Sequence, residues 1–276
     1  MNEPDPKLYA QMQSLAERLA REAADISLSR IEKATASKKF DKSVVTTTDF
    51  EIQSLIVGAI RDAYPEHAIC GEETAPTPHA RVAPEGTRYC WVIDPLDGTR
   101  NYVAKLPCFA TSIGVLDRGI PAVGVVYEHN TRQLFSATQG GGATLNGRKI
   151  RVNNLGPEND HLLGIPSSKD EMGIRVSRAW LATRGYIGRN LGSTAFEMGL
   201  IASGAMSGMV GRRVKIWDIA AGELLISEAG GVFTDPQGRP LIPFRMDADP
   251  QQSIPFLAAS ASMHAILVDS IREAMG

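Results

Sequence analysis

The stretch Trp91-Val92-Ile93-Asp94-Pro95-Leu96-Asp97-Gly98-Thr99 constrains this chain more than any other. Trp91, Val92 and Ile93 read as a buried strand, and the two carboxylates, proline and glycine that follow predict an abrupt end to it. Asp94 and Asp97 then leave the strand end together, with Pro95 restricting the backbone between them. Two close acids repel unless something positive sits between them. Carboxylate oxygens are hard ligands, and Mg²⁺ takes a few of them together with substrate phosphate. The amides of Gly98 and Thr99 point into the same space, where a helix N-terminus would receive an anion. An ordinary polar turn would use the same residue types, so the decision rests on acids elsewhere in the chain.

Length and charge narrow the partners. A chain of 276 residues makes one large domain or two intimately packed ones. With 43% hydrophobic and 22% charged residues it is an ordinary globular composition. A formal net charge of -2 argues against a general nucleic-acid binder. Cys70, Cys90 and Cys108 are scattered without CxxC spacing, which points to a reducing compartment and no zinc site. The opening MNEPDPKLYAQMQ has neither basic nor apolar leader character, and no apolar run approaches the ~20 residues of a membrane span. The expectation is a cytoplasmic protein with no membrane partner.

Along the chain, Asp5-Pro6 opens a long packing helix with Leu8, Met12, Leu15, Leu19 and Ile26 on its apolar face. Residues 35–48 read as a loop with short extended pieces. Thr48-Asp49-Phe50-Glu51 has the form of a capping box for a second helix, with Ile52, Leu55, Ile56, Ala59 and Ile60 inward. Ala68-Ile69-Cys70 is a short strand running into Gly71-Glu72-Glu73, and 75–86 reads as an exposed proline-rich loop. Thr111–Leu116, Ala122–Tyr127 and Gln133–Ala137 predict an antiparallel meander, and Asn146-Gly147 a hairpin turn.

Beyond residue 150 the reading is a strand at His161–Ile165, an irregular region, and a helix capped by Ser193-Thr194 and ending near Gly204. A strand at Ser207–Val210, a helix opened by Trp217-Asp218 and closed by Gly230-Gly231, and two short strands precede a final helix over Met263–Ala274. This mixture predicts an α/β, or α+β, layered architecture. No dinucleotide fingerprint or P-loop is present.

Carboxylates recur at element ends: Glu72 and Glu73 after one strand, Asp94 and Asp97 after another, Asp49 and Asp218 at helix starts. Singly, Asp218 reads as an N-cap, Asp49 as a first-turn acid, and the Glu pair as solvated loop. Together, Gly71-Glu72-Glu73, Asp94-Pro95-Leu96-Asp97-Gly98-Thr99 and Trp217-Asp218, in this order, resemble the inositol monophosphatase family of Mg²⁺-dependent, lithium-sensitive phosphatases. The similarity runs from Thr46-Thr47-Thr48-Asp49 through Glu228-Ala229-Gly230-Gly231.

The resemblance implies a single unit over 1–276, folded as a five-layer αβαβα sandwich and assembled as a homodimer. Its N-terminal half, 1–150, would carry the metal site, and 151–276 would form the C-terminal half. By resemblance, Glu72, Asp94 and the Leu96 carbonyl would hold one Mg²⁺, and Asp94, Asp97 and Asp218 a second. A weaker third would lean on Glu72. Glu72 and Thr99 would orient the attacking water, with Asp49 pairing with the threonine, while the Gly98 and Thr99 amides cradle the phosphate. Ser193 and Thr194 would lie along the substrate beside Asp218. Glu73 would support the ligands from behind, and Lys38 aligns with a family lysine near the site, although a solvated loop lysine would look the same.

Paired metals that generate a hydroxide-like water agree with this acid pattern. A haloacid-dehalogenase phosphatase would use Asp-x-Asp with one intervening residue, whereas two separate Asp94 and Asp97 here. A catalytically idle scaffold on the same fold is the alternative of another class. For the substrate, a small phosphorylated metabolite, the resemblance favours myo-inositol 1-phosphate. The position of the family's inositol-gripping glutamate falls on Gly211, followed by Arg212 and Arg213. Fructose 1,6-bisphosphate, histidinol phosphate and 3′-phosphoadenosine substrates therefore stay open, and installing Glu at 211 is expected to favour inositol phosphate.

Overall fold

A computed structural model describes residues 5–35, 37–38, 44–73, 82–167 and 170–276. The helices are α1 (Pro6–Arg30), α2 (Thr47–Ala63), α3 (Thr99–Val103), α4 (Glu171–Ala182), α5 (Thr194–Ala202), α6 (Ile216–Glu228) and α7 (Ala261–Met275). The first strands are β1 (Ser37–Lys38), β2 (Val44–Val45), β3 (Ala68–Gly71), β4 (Tyr89–Asp97), β5 (Ala110–Asp117), β6 (Ile120–Glu128), β7 (Gln133–Thr138), β8 (Gly142–Leu145) and β9 (Arg148–Lys149). The later ones are β10 (His161–Gly164), β11 (Tyr186–Arg189), β12 (Gly208–Gly211), β13 (Gly231–Thr234) and β14 (Phe256–Ser260).

Strands β3 to β9 form a seven-stranded sheet in sequence order, and the second sheet runs β11-β10-β12-β14-β13. Alternation along β4 decides what each face of the first sheet meets. Trp91 and Ile93 pack with Ile113, Val115, Val123 and Val125 against α1 and α2. Cys90 and Val92 face the other way, towards α5 and α6. Those two helices also touch the second sheet, whose far face carries α4 and α7 through Leu163, Val210, Leu257 and Ala259. The layers are therefore α1/α2, sheet, α5/α6, sheet, α4/α7: the five-layer αβαβα sandwich.

The buried face of α1 is centred on Ala16, Ala20, Ala23 and Ala24 beside Met12 and Leu19, while Leu8, Leu15 and Ile26 flank it half-buried. Small residues let the helix lie close on β5, β6 and β7, so its contact face is rotated from the leucine stripe. On the opposite face of the sheet, Gly114 and Gly124 are cross-strand partners under α6. A Cβ on Gly124 would sit 2.5 Å from the Ala221 carbonyl oxygen, and one on Gly114 3.1 Å from Ala220 Cβ. The missing side chains bring α6, and with it Asp218, down onto the sheet.

Four local expectations change. The strand at Trp91–Ile93 does not stop at Asp94 but continues to Asp97 through an irregularity. The region after β10 holds helix α4, capped by the Asp170 side chain and buried through Met172, Val176 and Trp180, and then strand β11. Residues 74–81 of the proline-rich stretch lie outside the described residues. Val82 and Ala83 are buried, their amides donating to the Ala248 and Met246 carbonyls, so that end of the stretch is pinned rather than exposed. The capping box of α2 is Thr46 with Asp49, not Thr48 with Glu51. Glu51 instead pairs with Arg30 at the surface, 3.0 Å away.

Candidate active site

The irregularity in β4 explains how two acids three positions apart come to share a side. In a regular strand they would face opposite ways. Asp94 pairs with Ser112 and Asp97 with Ala110, so β4 spends one residue more than β5 between the two pairings. A bulge of this kind re-aims side chains, and here it turns both carboxylates into one cavity. Its backbone is held at several points. The Leu96 amide donates to Asp94 Oδ1 at 2.9 Å, and Thr111 Oγ1 donates to the Pro95 carbonyl at 2.8 Å.

Behind Thr111 lies a buried relay that sequence reading missed. His129 is fully buried, with Nε2 3.0 Å from Thr111 Oγ1 and Nδ1 2.6 Å from Ser27 Oγ. Thr111 also donates to the Pro95 carbonyl and Ser27 to the Ala24 carbonyl at 3.0 Å, so the two hydroxyls share the single proton and single lone pair of a neutral imidazole with these carbonyls. Burial holds this imidazole neutral, its pKa lowered to about 3. The chain Ser27–His129–Thr111–Pro95 ties α1 to the carbonyl between the two acids. Only a lone histidine in the turn Glu128-His129-Asn130 signalled it.

Asp218 arrives from the first turn of α6. It is the third helical residue, not the N-cap: Lys215 holds that position and donates its amide to Asp218 Oδ2 at 2.6 Å. Asp49 has the same construction at α2, where Oδ2 accepts the Thr46 amide (2.8 Å) and hydroxyl (2.6 Å). Its Oδ1 is left for Thr99 Oγ1, 3.2 Å away. The Thr99 hydroxyl also reaches the Leu96 carbonyl at 3.0 Å, so one proton serves two acceptors.

Carboxylate oxygens of Asp94, Asp97 and Asp218 lie within 4.8 Å of one another. Among the described residues no lysine or arginine forms an ion pair with any of them. Burial, and then mutual repulsion together with Glu72, pushes Asp94 and Asp218 well above the usual carboxylate range. Asp97 rises to about 6, its burial opposed by hydrogen bonds from Ser193, Ala195 and Thr194. Burial also raises Asp49, against the hydrogen bonds of Thr46. A set of hard oxygens, desolvated and without a counter-charge, fits a divalent cation.

Glu72 follows β3, its amide bonded to the Ile93 carbonyl at 3.0 Å, and lines the same cavity of about 300 Å³ with Leu96, Gly98, Thr99, Arg100 and Arg213. Its carboxylate stands outside the tight triad of aspartates. Gln53 Oε1, from α2, accepts the Glu73 amide at 2.9 Å and so positions the Gly71-Glu72-Glu73 corner. Gly98 adopts φ 90° and starts the five-residue α3, whose first amides have no intrahelical acceptor. Lys38 lies in β1, paired with Val44, and its side chain is outside the described residues.

A second cavity, about 220 Å³, adjoins the first along Asp97, Gly192, Arg213 and Asp218. Ser193 and Thr194 line it. The Ser193 hydroxyl does not cap α5; it donates to Asp97 Oδ2 at 2.7 Å, beside the Ala195 amide at the same distance. Glu197, unnoticed in sequence, is buried and accepts the Leu191 amide at 2.7 Å, its carboxyl raised to about 7 by burial. Gly211 faces Phe256: a Cβ there would lie 2.0 Å from the ring, which is fully buried. Glu at 211 therefore meets an aromatic ring instead of open space, so installing it requires the Phe256 ring to shift.

With this geometry in place, comparison with known proteins decides the kinship. The sequence matches the inositol monophosphatase family over residues 8–274. The chain belongs to the inositol monophosphatase family. It is 35% identical over 235 residues to the Nus factor SuhB of Escherichia coli K12, covering 81% of this chain and 85% of that one. The Vibrio cholerae Nus factor SuhB is 33% identical over 270 residues, covering 95% and 96%. Among solved structures of family members, a Thermotoga maritima IMPase superposes with a TM-score of 0.82 at 29% identity, covering 96% of this chain and 98% of that chain. The Anabaena inositol monophosphatase gives 0.78 at 28%, covering 96% of each.

Proposed function

We propose that this family member is a Mg²⁺-dependent hydrolase of small polyol or sugar phosphomonoesters. The observation that carries the reading is the convergence of Asp94, Asp97 and Asp218 within 4.8 Å on the wall of a cavity that also holds Glu72 and Thr99. The residues that would hold the ions are Asp94, Asp97 and Asp218, with Glu72 and the Leu96 carbonyl. Bound there, Mg²⁺ would lower the pKa of a water and neutralise charge on the phosphoryl and leaving oxygens.

The chain's own groups supply the rest. Asp49 Oδ1 accepts from Thr99 Oγ1, so the hydroxyl proton is committed and its oxygen is left as an acceptor in the cavity that Glu72 also lines. Thr99 and Glu72 thereby orient the attacking water in line with the phosphorus. Amides of Gly98 and Thr99 receive phosphoryl oxygens. Gly192, Ser193 and Thr194 lie along the alcohol in the adjoining cavity. Ser193 and the Ala195 amide hold Asp97 ionised by donating to it, which keeps its charge available.

The test is phosphate release, with and without Mg²⁺, across inositol 1-phosphate, fructose 1,6-bisphosphate, histidinol phosphate and adenosine 3′,5′-bisphosphate. Mg²⁺-dependent release from at least one is expected. Silence on all four would favour a binding role on this scaffold, a role consistent with relatives named Nus factor SuhB.

A further inference from the structure

The second cavity carries information about the alcohol part of the ester. Of the charged groups on its wall, Asp97 and Asp218 belong to the acid cluster. Glu197 is turned onto the backbone of Leu191, and Arg212 is held by Asp170 at 3.3 Å. Arg213 differs from all of them. It is exposed, lines both cavities at their seam, and among the described residues makes no ion pair and no side-chain hydrogen bond.

Apart from Asp97, Asp218 and the backbone-bound Glu197, the described residues lining this cavity offer no acid to compete with it. Gly211 is backed by Phe256, itself stacked on Phe233 with ring centroids 5.2 Å apart, so this position is bare backbone. Ser167, Asn190 and Thr194 are neutral. Among the described residues lining this cavity, the cation without a partner is therefore the Arg213 guanidinium, whose planar fork matches a phosphate or carboxylate and gains nothing special from a neutral hydroxyl.

We propose that Arg213 binds a second anionic group on the alcohol portion of the substrate, so that preferred esters carry a phosphate or carboxylate besides the scissile phosphate. This rests on the hydrolase reading and narrows its substrate. The first cavity takes the scissile phosphoryl group, and the seam takes the second anion.

The experiment compares matched pairs at constant ionic strength and saturating Mg²⁺: fructose 1,6-bisphosphate against fructose 1-phosphate, and 3-phosphoglycerate against glycerol 3-phosphate. The wild-type protein is expected to show higher kcat/KM for the more anionic member of at least one pair. Arg213→Gln should reduce that preference by about 10- to 100-fold, the size of one charge-assisted hydrogen bond, through KM rather than kcat. Arg213→Lys should restore part of it. A loss confined to the fructose pair identifies phosphate as the group, and a loss in both pairs identifies either anion. A wild-type protein indifferent within both pairs, or a preference unchanged in Arg213→Gln, overturns the assignment while Mg²⁺-dependent turnover leaves the hydrolase standing. No turnover of any ester overturns both.

Discussion

Single residues in this site do two jobs, and the second is invisible in sequence. Asp49 and Asp218 each commit one oxygen to a helix N-terminus, while the other Asp49 oxygen holds Thr99 and Asp218 lines the cavity, so helix start and site chemistry are one construction. Asp94→Asn removes a repelled, buried charge. The metal-free variant is expected to melt at a higher temperature than wild type, to lose the stabilisation that Mg²⁺ confers, and to fall in turnover by about 10²- to 10³-fold or more; calorimetry and phosphate release read both. His129 carries a pH signature. Its folded pKa of about 3 lies below the unfolded value of about 6.5, so the unfolded chain takes up the proton first. Its contribution to stability is intact above pH 6.5 and is lost as pH falls towards 3, at up to about 1.4 kcal/mol per pH unit. Denaturant titrations of wild type and His129→Gln across pH 4–7 should diverge with that slope, and parallel curves would refute the assignment of a neutral imidazole.

At the scale of elements, the site is a meeting of the ends of β3 and β4 with the starts of α2, α3, α5 and α6. The bulge in β4 points two acids the same way, and the Gly114–Gly124 pair lets α6 approach closely enough to add a third. Gly124→Ala forces its methyl against the Ala221 carbonyl. It should cost about 1–3 kcal/mol and weaken Mg²⁺ binding, because α6 and Asp218 must lift together. Loss of stability with unchanged Mg²⁺ affinity would separate the helix position from the site. Thr46→Ala frees Asp49 from its cap, at about 1 kcal/mol, and should also lower kcat by loosening Thr99. Helix α4 shows why some elements escape a sequence reading: Met172, Val176 and Trp180 recur at helical spacing, but glycine and arginine between them dilute the pattern. For α2, both Thr46-x-x-Asp49 and Thr48-x-x-Glu51 suit a cap, and only the packing of Asp49 beneath Thr99 selects the first.

For the whole molecule, the acids come from both halves of the chain and meet between the sheets, so cation binding and global stability are linked. Mg²⁺ should raise the unfolding free energy by RT ln(1 + [Mg²⁺]/Kd), about 2.7 kcal/mol at a hundred times Kd, and EDTA should reverse it. A melting temperature indifferent to Mg²⁺ would contradict the site. Much of the fold was legible in sequence because apolar periodicity reports which face of an element is buried: the meander, α1, α2, α5, α6 and α7 all carry it. The acid motifs were legible because their residue types suit one chemistry, a hard cation beside phosphate. What only tertiary structure decided is orientation over distance. A two-residue period would set Asp94 and Asp97 on opposite faces until a bulge realigns them, and a free position at 211 is closed by a ring 45 residues away. Whether Arg213 stands unpaired likewise depends on groups that no local sequence pattern brings near it. Local sequence sets which groups can appear at the surface of each element, and packing between elements sets which of them face one another.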